Sequence, residues 1–145
     1  MASLDQSPLH LLHRARQCAS GLFQEHMSHI DLTARQYVVL ATIAGQDGLS
    51  QQAVIDATGI DRSTVSQVVQ TLVRKGMVKR RRTREDGRVY SVTLTPLGRD
   101  ALKASEPIVR RIDEEIIAAL PPSHAAGFLA SLGAMADALD AAAKK

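Results

Sequence analysis

Tryptophan is absent from this 145-residue chain, and only two phenylalanines and two tyrosines are present, 3% aromatic in all. A core without large rings must be filled by Leu, Val, Ile and Ala, which favours helix packing over a β-sandwich. Cysteine is almost absent as well. Cys18 stands alone, so an internal disulfide is excluded and a reducing compartment is suited. No apolar run approaches the roughly 18 residues of a membrane span, so no membrane partner is expected. The opening MASLDQSP has neither the basic nor the apolar region of an export signal. A cytoplasmic location is the expectation.

What is present describes a soluble globular chain of single-domain size, 45% hydrophobic and 23% charged. The net charge is only +3, but it is unevenly spread. Between Arg62 and Tyr90 there are nine Lys/Arg and two acids, +7, which leaves −4 for the remainder. The stretch KRRRTREDGR, Lys79 to Arg88, alone holds six cations. A basic middle between acidic ends points to a polyanionic partner met by one lobe.

Local signals divide the chain into helices and one hairpin. Ser7-Pro8 supplies an N-cap and an N1 proline, and Leu9, Leu12, Ala15, Ala19 and Leu22 mark one face of a helix to about Met27. Thr33 to Gln36 reads as a capping box that starts a second helix ending at Gly45. Ser50 caps a short helix that stops at Gly59, and Asp61 caps another that stops at Gly76, a helix-turn-helix pattern. Val65, Val68, Val69 and Leu72 form the inner face of the latter, and Ser63, Thr64, Ser66, Gln67 and Gln70 lie largely outside. MVKRRRT and RVYSVTLT alternate around REDG and read as a hairpin. Val78, Val89, Val92 and Leu94 are its expected apolar anchors, with the arginines pointing away. Thr95-Pro96 opens a long helix to Ala119, in which Pro107 is a candidate kink. After Pro121-Pro122, Ser123 is expected to cap a last helix, with Phe128, Leu132, Met135, Leu139 and Ala142 at heptad-like spacing.

A helix-turn-helix followed at once by a basic hairpin is a winged helix, and each part has its own chemistry. A major groove admits one helix, whose N-terminal residues reach base edges. Cations on the flanks neutralise phosphates and add affinity without sequence information. An arginine at a hairpin tip can enter a narrow minor groove, where the negative potential is enhanced. The candidate DNA-contacting set is Ser50, Gln51, Arg62, Ser63, Thr64, Ser66, Gln67, Gln70, Arg74, Arg80, Arg82, Arg84, Asp86 and Arg88. The pairs His10/His13 and His26/His29 have acceptable metal-ligand spacing, but the long helix over 95–119 holds no His or Cys to complete a site. Neither a metal nor a cofactor is therefore expected. Cys18 reads as a small buried helix residue. No nucleophile elbow, P-loop or HExxH context is present, so an enzyme is not expected.

LTARQYVVLATIA, the stretch from Asp61 to Gly98 and the flanking helices resemble the MarR family of bacterial winged-helix regulators over nearly the whole chain. The most specific part is Asp86-x-Arg88 followed by Leu94-Thr95-x-x-Gly98. The resemblance implies a mainly α (α+β) fold, a winged helix-turn-helix with a β-hairpin wing and long N- and C-terminal dimerisation helices. It implies a DNA-binding region over 33–95, with 1–32 and 96–145 forming the helical dimerisation region. It also implies a cytoplasmic homodimer on double-stranded, pseudo-palindromic operator DNA, nucleoid-associated when bound. The helix from Arg62 to Lys75 would read the major groove and Arg88 the minor groove, with Asp86 holding an arginine in place. Gln67 departs from the family, standing where many members carry a basic residue, so the operator sequence does not follow. Repression relieved by a small effector, an aromatic or phenolic acid or its thioester, is the implied regulation, with His13, Arg14, Arg16, Arg35 and Tyr37 as candidate effector contacts. In the family's peroxide sensors the reactive cysteine falls at Leu9 and its partner tyrosine at Ala34, which sets Cys18 apart from them. Two alternatives stay open: a winged-helix protein-interaction module, and a DNA-binding sensor triggered by oxidation or zinc.

Overall fold

The computed structural model describes residues 3–145; Met1 and Ala2 of the polar opening segment lie outside the described residues. After a 3-10 turn at Leu4–Gln6 come α1 (Pro8–Met27), α2 (Ala34–Ala44), β1 (Leu49–Ser50), α3 (Gln51–Thr58), α4 (Arg62–Arg74), β2 (Val78–Arg82), β3 (Tyr90–Leu94) and α5 (Pro96–Ala118). A second 3-10 turn, Pro122–His124, precedes α6 (Ala125–Ala143). This mainly helical chain with one small antiparallel sheet is a winged helix-turn-helix. The chain forms two compact units, one up to Val109 and one from Arg110 to Lys145.

The helix boundaries follow from side chains that satisfy first-turn N–H groups. Ser7 Oγ accepts from the His10 N–H, and Ser50 Oγ accepts from the Ala53 N–H. Thr33 and Gln36 exchange both bonds of a capping box, at 3.2 and 3.1 Å. Gly59 ends α3 at φ 68°, the left-handed conformation that glycine adopts without a Cβ penalty, and its N–H closes on the Ile55 carbonyl. That single residue turns the chain from α3 into α4. Thr95 Oγ accepts from the Gly98 N–H and starts α5, which runs unbroken through Pro107.

α2 is the centre of the first unit and packs on α3, α4 and β3. Val39, Leu40 and Ile43 of α2 are fully buried with Val54 of α3 and Val65, Val69 and Leu72 of α4. Val78, Val92 and Leu94 of the sheet close the same core, and Phe23 and Met27 bring the C-terminal end of α1 onto it. Each such side chain contributes about 1.5–3 kcal/mol on burial. The core is thus aliphatic, as the scarcity of aromatics requires.

Five expectations are corrected. First, β1 is a third strand, pairing Leu49 with Val92 and Ser50 with Ser91; two residues are too few to show a period. Second, Ser123 caps nothing: α6 begins at Ala125 with no side-chain cap, because Pro122–His124 winds as a 3-10 turn. Third, the hairpin arginines do not all point away. Strand alternation sets Arg80 and Arg82 on the same face as Val78, and Val89 lies outside both strands and is exposed. Fourth, Cys18 is exposed rather than buried, because α1 buries only Phe23 and Met27. Fifth, Pro122–Ala143 is long and apolar enough to match a membrane span by length and composition alone. Its apolarity is spread through alanines and interrupted by Ser131, Asp137 and Asp140, so no continuous run marked it. None of α6 is buried, and Leu129, Leu132, Met135 and Leu139 are exposed.

Candidate nucleic-acid interface and adjoining cleft

α4 enters on an anionic cap. Asp61 accepts from the Thr64 N–H at 2.9 Å, the Thr64 hydroxyl at 2.7 Å and the Ser63 hydroxyl at 3.0 Å. These bonds, the Thr64 backbone bond first, hold the Asp61 carboxyl at about 2, below its ordinary value. The hydroxyl protons of Ser63 and Thr64 are therefore spent inside the protein, and what these two residues offer outward is acceptor lone pairs. One turn on, Gln67 and Gln70 are exposed, and Ser66 beside them is half-buried. Val65, Val69 and Leu72 bury the opposite face, so burial alone fixes which residues look out. Arg74 near the C-terminus donates to the Thr71 hydroxyl at 3.1 Å.

α3 is tied to α4 by Arg62, whose guanidinium donates to Gln52 Oε1 at 2.6 Å, while Gln52 Nε2 donates to Asp56. Ser50 is occupied as the α3 cap. Gln51 is half-buried, and its side-chain oxygen is turned inward without a protein hydrogen-bond partner among the described residues. The structure therefore presents Ser63, Thr64, Gln67, Gln70 and Arg74 along α4, and holds Ser50 and Gln51 less openly at the start of α3.

The wing tip is a hydrogen-bonded turn. The Thr83 hydroxyl donates to the Asp86 carbonyl and accepts from the Asp86 N–H, while the Val89 N–H donates to the Asp86 carbonyl. Asp86 Oδ1 in turn accepts from the Arg88 N–H at 2.9 Å and from Arg88 Nε at 3.2 Å. Those two bonds, the backbone one first, hold the Asp86 carboxyl below its ordinary range. Arg88 stays 91% exposed while its root is clamped. Arg84 is exposed on the same turn, and Arg80 and Arg82 lie over the Tyr90 ring, with guanidinium carbons 4.5 and 5.5 Å from its centroid. Tyr90 was missed from the sequence. Counting pairs down from Val78 opposite Leu94 would have set it across from Arg82.

Beside this surface, a half-open cavity of about 520 Å³ lies between α1 and the start of α2. Phe23, Met27 and Leu32 give it apolar walls, and Ser20, Gln24, Asp31 and Arg35 give it polar ones. Of the five candidate effector residues, Arg35 lines it. Tyr37 stands behind the wall, its ring 6.0 Å from that of Phe23. His13, Arg14 and Arg16 are exposed on the N-terminal half of α1, outside the lining. Phe23 and Gln24 were missed because cleft walls carry no period of their own. Among the described residues, no three of His, Cys, Asp and Glu converge as a metal site would require.

Lys75, the C-cap of α4, joins the cleft to that helix. Its ammonium donates to the Asp31 carbonyl at 2.6 Å and to Gln36 Oε1 at 3.1 Å, with the Asp31 carboxylate at 3.4 Å. Asp31 holds φ 56°, a left-handed conformation that aspartate tolerates better than most side chains. One wall of the cleft is thus pinned to the end of α4 across 44 residues of sequence.

Residues 30–89 match the MarR family. The HTH-type transcriptional repressor NicR of Pseudomonas putida is 30% identical over 143 residues, covering 94% of this chain and 90% of NicR. The transcriptional regulator PcaV of Streptomyces coelicolor, solved with its natural ligand, has a TM-score of 0.88 at 30% identity, covering 96% of this chain and 98% of PcaV. BpsR of Bordetella bronchiseptica, whose DNA binding is regulated by 6-hydroxynicotinic acid, has a TM-score of 0.87 at 31% identity, covering 94% and 98%. With the capped α4 and the clamped wing arginine beside them, these likenesses place the chain in the MarR family of transcriptional regulators.

Proposed function

We propose that this regulator is a homodimeric repressor that grips a pseudo-palindromic operator and lets go when a small aromatic acid enters the cleft. The observation that carries the DNA reading is the pairing of an uncharged, outward-facing α4 surface with a wing arginine 91% exposed and clamped at its root by Asp86. Ser63, Thr64, Gln67 and Gln70 read base edges, Arg62, Arg74, Arg80, Arg82 and Arg84 meet phosphates, and Arg88 enters the minor groove. Ser50 and Gln51 border the backbone contact. An interaction module would instead show large apolar groups on this face; Val73, at its far end, is the exposed large hydrophobic of α4 among the described residues.

Two copies are needed to match two half-sites one helical turn apart. The uncovered leucines at 4, 9, 11 and 12, and separately those of α6, give each protomer apolar surface to bury against the other. In this reading 33–95 is the DNA-binding region, and 1–32 with 96–145 the dimerisation region.

The cleft suits a flat ring with an acidic group: Phe23, Met27 and Leu32 for the ring, and Arg35 for the carboxylate. NicR is named a repressor and BpsR responds to 6-hydroxynicotinic acid, which supports the same regulation here. A ligand shifts the population only by its differential affinity for the two states. Lys75 supplies the difference, because a ligand that moves the Asp31 wall pulls on the end of α4.

Fluorescence anisotropy of the protein on its own upstream intergenic DNA, at several salt concentrations, tests the reading. Binding should weaken steeply with salt, and Arg88→Ala should weaken it about tenfold or more, the size of one lost charged contact. Adding 6-hydroxynicotinic acid or a simple benzoate should release the DNA, and Arg35→Ala should blunt that release. Folded protein that binds neither this DNA nor any duplex selected from a random pool would refute it.

A further inference from the structure

The wing's inner face changes character along its length. The β2–β3 register sets Val78 opposite Leu94, Arg80 opposite Val92 and Arg82 opposite Tyr90. Period two puts all six on one side of the ribbon. At the base that side is core, with Val78, Val92 and Leu94 buried. At the outer rung the core has run out, and a half-buried tyrosine faces two arginines.

Both guanidiniums rest on that ring, at 4.5 and 5.5 Å from its centroid. Neither has a carboxylate partner among the described residues. The contrast with Arg88 is chemical. A carboxylate holds Arg88 and offsets part of its charge, whereas an aromatic face holds a cation through its quadrupole and leaves the charge whole. Two like charges kept against one ring also repel each other, and an anion between them relieves that repulsion. An unrestrained arginine loses much rotamer freedom on settling against a phosphate; one already laid on a ring has less to lose.

We propose that Tyr90 is a positioning residue for DNA binding, its ring holding Arg80 and Arg82 as a paired cationic seat for one backbone phosphodiester. The proposal rests on the DNA-binding reading above. Tyr90 itself touches no nucleotide in this scheme. The phenolic hydroxyl is dispensable and the ring is not.

The test is a variant series in the full-length protein: Tyr90→Phe, Tyr90→Leu, the double Arg80→Gln/Arg82→Gln, and the triple combination with Tyr90→Leu. Each is measured by anisotropy on the upstream duplex across a salt series, with CD melts to establish folding. Tyr90→Phe should bind within about twofold of wild type. Tyr90→Leu should lose about five- to thirtyfold, the size of two exposed ring–cation contacts. Its salt dependence should also be shallower by about one unit of slope, the signature of one phosphate no longer neutralised, which a merely structural residue would not alter. In the Arg80→Gln/Arg82→Gln background, Tyr90→Leu should cost nothing further.

Tyr90→Leu binding like wild type, or costing the same with and without the two arginines, would overturn the proposal. A second readout needs no DNA. Arginine side-chain NMR resonances shifted by the ring current should be present in wild type and Tyr90→Phe and gone in Tyr90→Leu. Should wild type bind no duplex while those shifts are present, the DNA-binding reading fails and only the clamp's geometry survives. Absence of the shifts in wild type refutes the clamp itself.

Discussion

Replacing Gly98 by alanine should destabilise the protein, against the usual sign for a glycine in a helix. Within a helix, Gly→Ala ordinarily gains about 0.8–1.0 kcal/mol. At Gly98 the new Cβ would overlap the Met77 carbonyl oxygen and lie 3.0 Å from its carbon and 3.3 Å from its Cα. All three are backbone atoms, so no side chain can swing aside. Nor is Met77 free to retreat. Its N–H donates to the Leu72 carbonyl at 2.9 Å, and its own carbonyl accepts from the Thr95 N–H at 3.0 Å. The start of α5 must then back away by about 1 Å, breaking the Thr95–Met77 bond and the Thr95 hydroxyl's bond to the Gly76 carbonyl. Two lost hydrogen bonds at about 1 kcal/mol each and overpacking of about 1–3 kcal/mol outweigh the helix gain. A net loss of about 2–4 kcal/mol, or roughly 5–15 °C in Tm for a chain of this size, is expected. Thermal melts at one fixed protein concentration measure it, because association would otherwise shift Tm. Gly21→Ala, where a new Cβ meets nothing within 4 Å, is the control. An unchanged or raised Tm for Gly98→Ala would refute the close approach of α5 to the base of the wing.

The remaining predictions concern caps, charge and the cleft joint. Asp61, at about 2 in the folded chain against an ordinary 3.8, contributes stability that is complete above about pH 4 and lost as pH falls toward 2. Asp61→Asn should therefore lose its disadvantage relative to wild type in urea titrations below that window; a gap unchanged from pH 7 to pH 2 would contradict the cap. Lys75→Met removes the bonds to Asp31 and Gln36 and should lower stability by about 1 kcal/mol in urea unfolding, with no change signalling that the joint carries no load. Ser50→Ala should cost about 1 kcal/mol, while Ser123→Ala should stay within about 0.5 kcal/mol, since only the former accepts a first-turn N–H; equal costs would put the last helix's cap back at Ser123.

The helices were legible in the sequence wherever one side chain closes a bond three residues away. Ser7, Thr33, Ser50 and Asp61 all cap where their spacing predicts, and Ser123 failed because two prolines offered a 3-10 turn instead. The outward set on α4 was legible because its inner valines and leucine repeat at helical period. The wing's two faces were misread because six cations in ten residues suggested one exposed run, although alternation puts Arg80 and Arg82 beside Tyr90 and leaves Lys79 and Arg81 on the other side.

By itself, then, the sequence determined what depends on near neighbours: the order of helices, their starts, the hairpin and its charge. Helical and strand periods and cap bonds act over a few residues, so they are written in adjacent letters. The tertiary structure alone decided what joins distant letters. It set Lys75 on Asp31 across 44 residues, Leu49 on Val92, and the Gly98 backbone on Met77. It also opened the cleft at Phe23 and Arg35, not at His13 or Arg16. Those contacts depend on how the helices pack, and packing is decided by side-chain shape and burial across the whole core rather than by any local pattern.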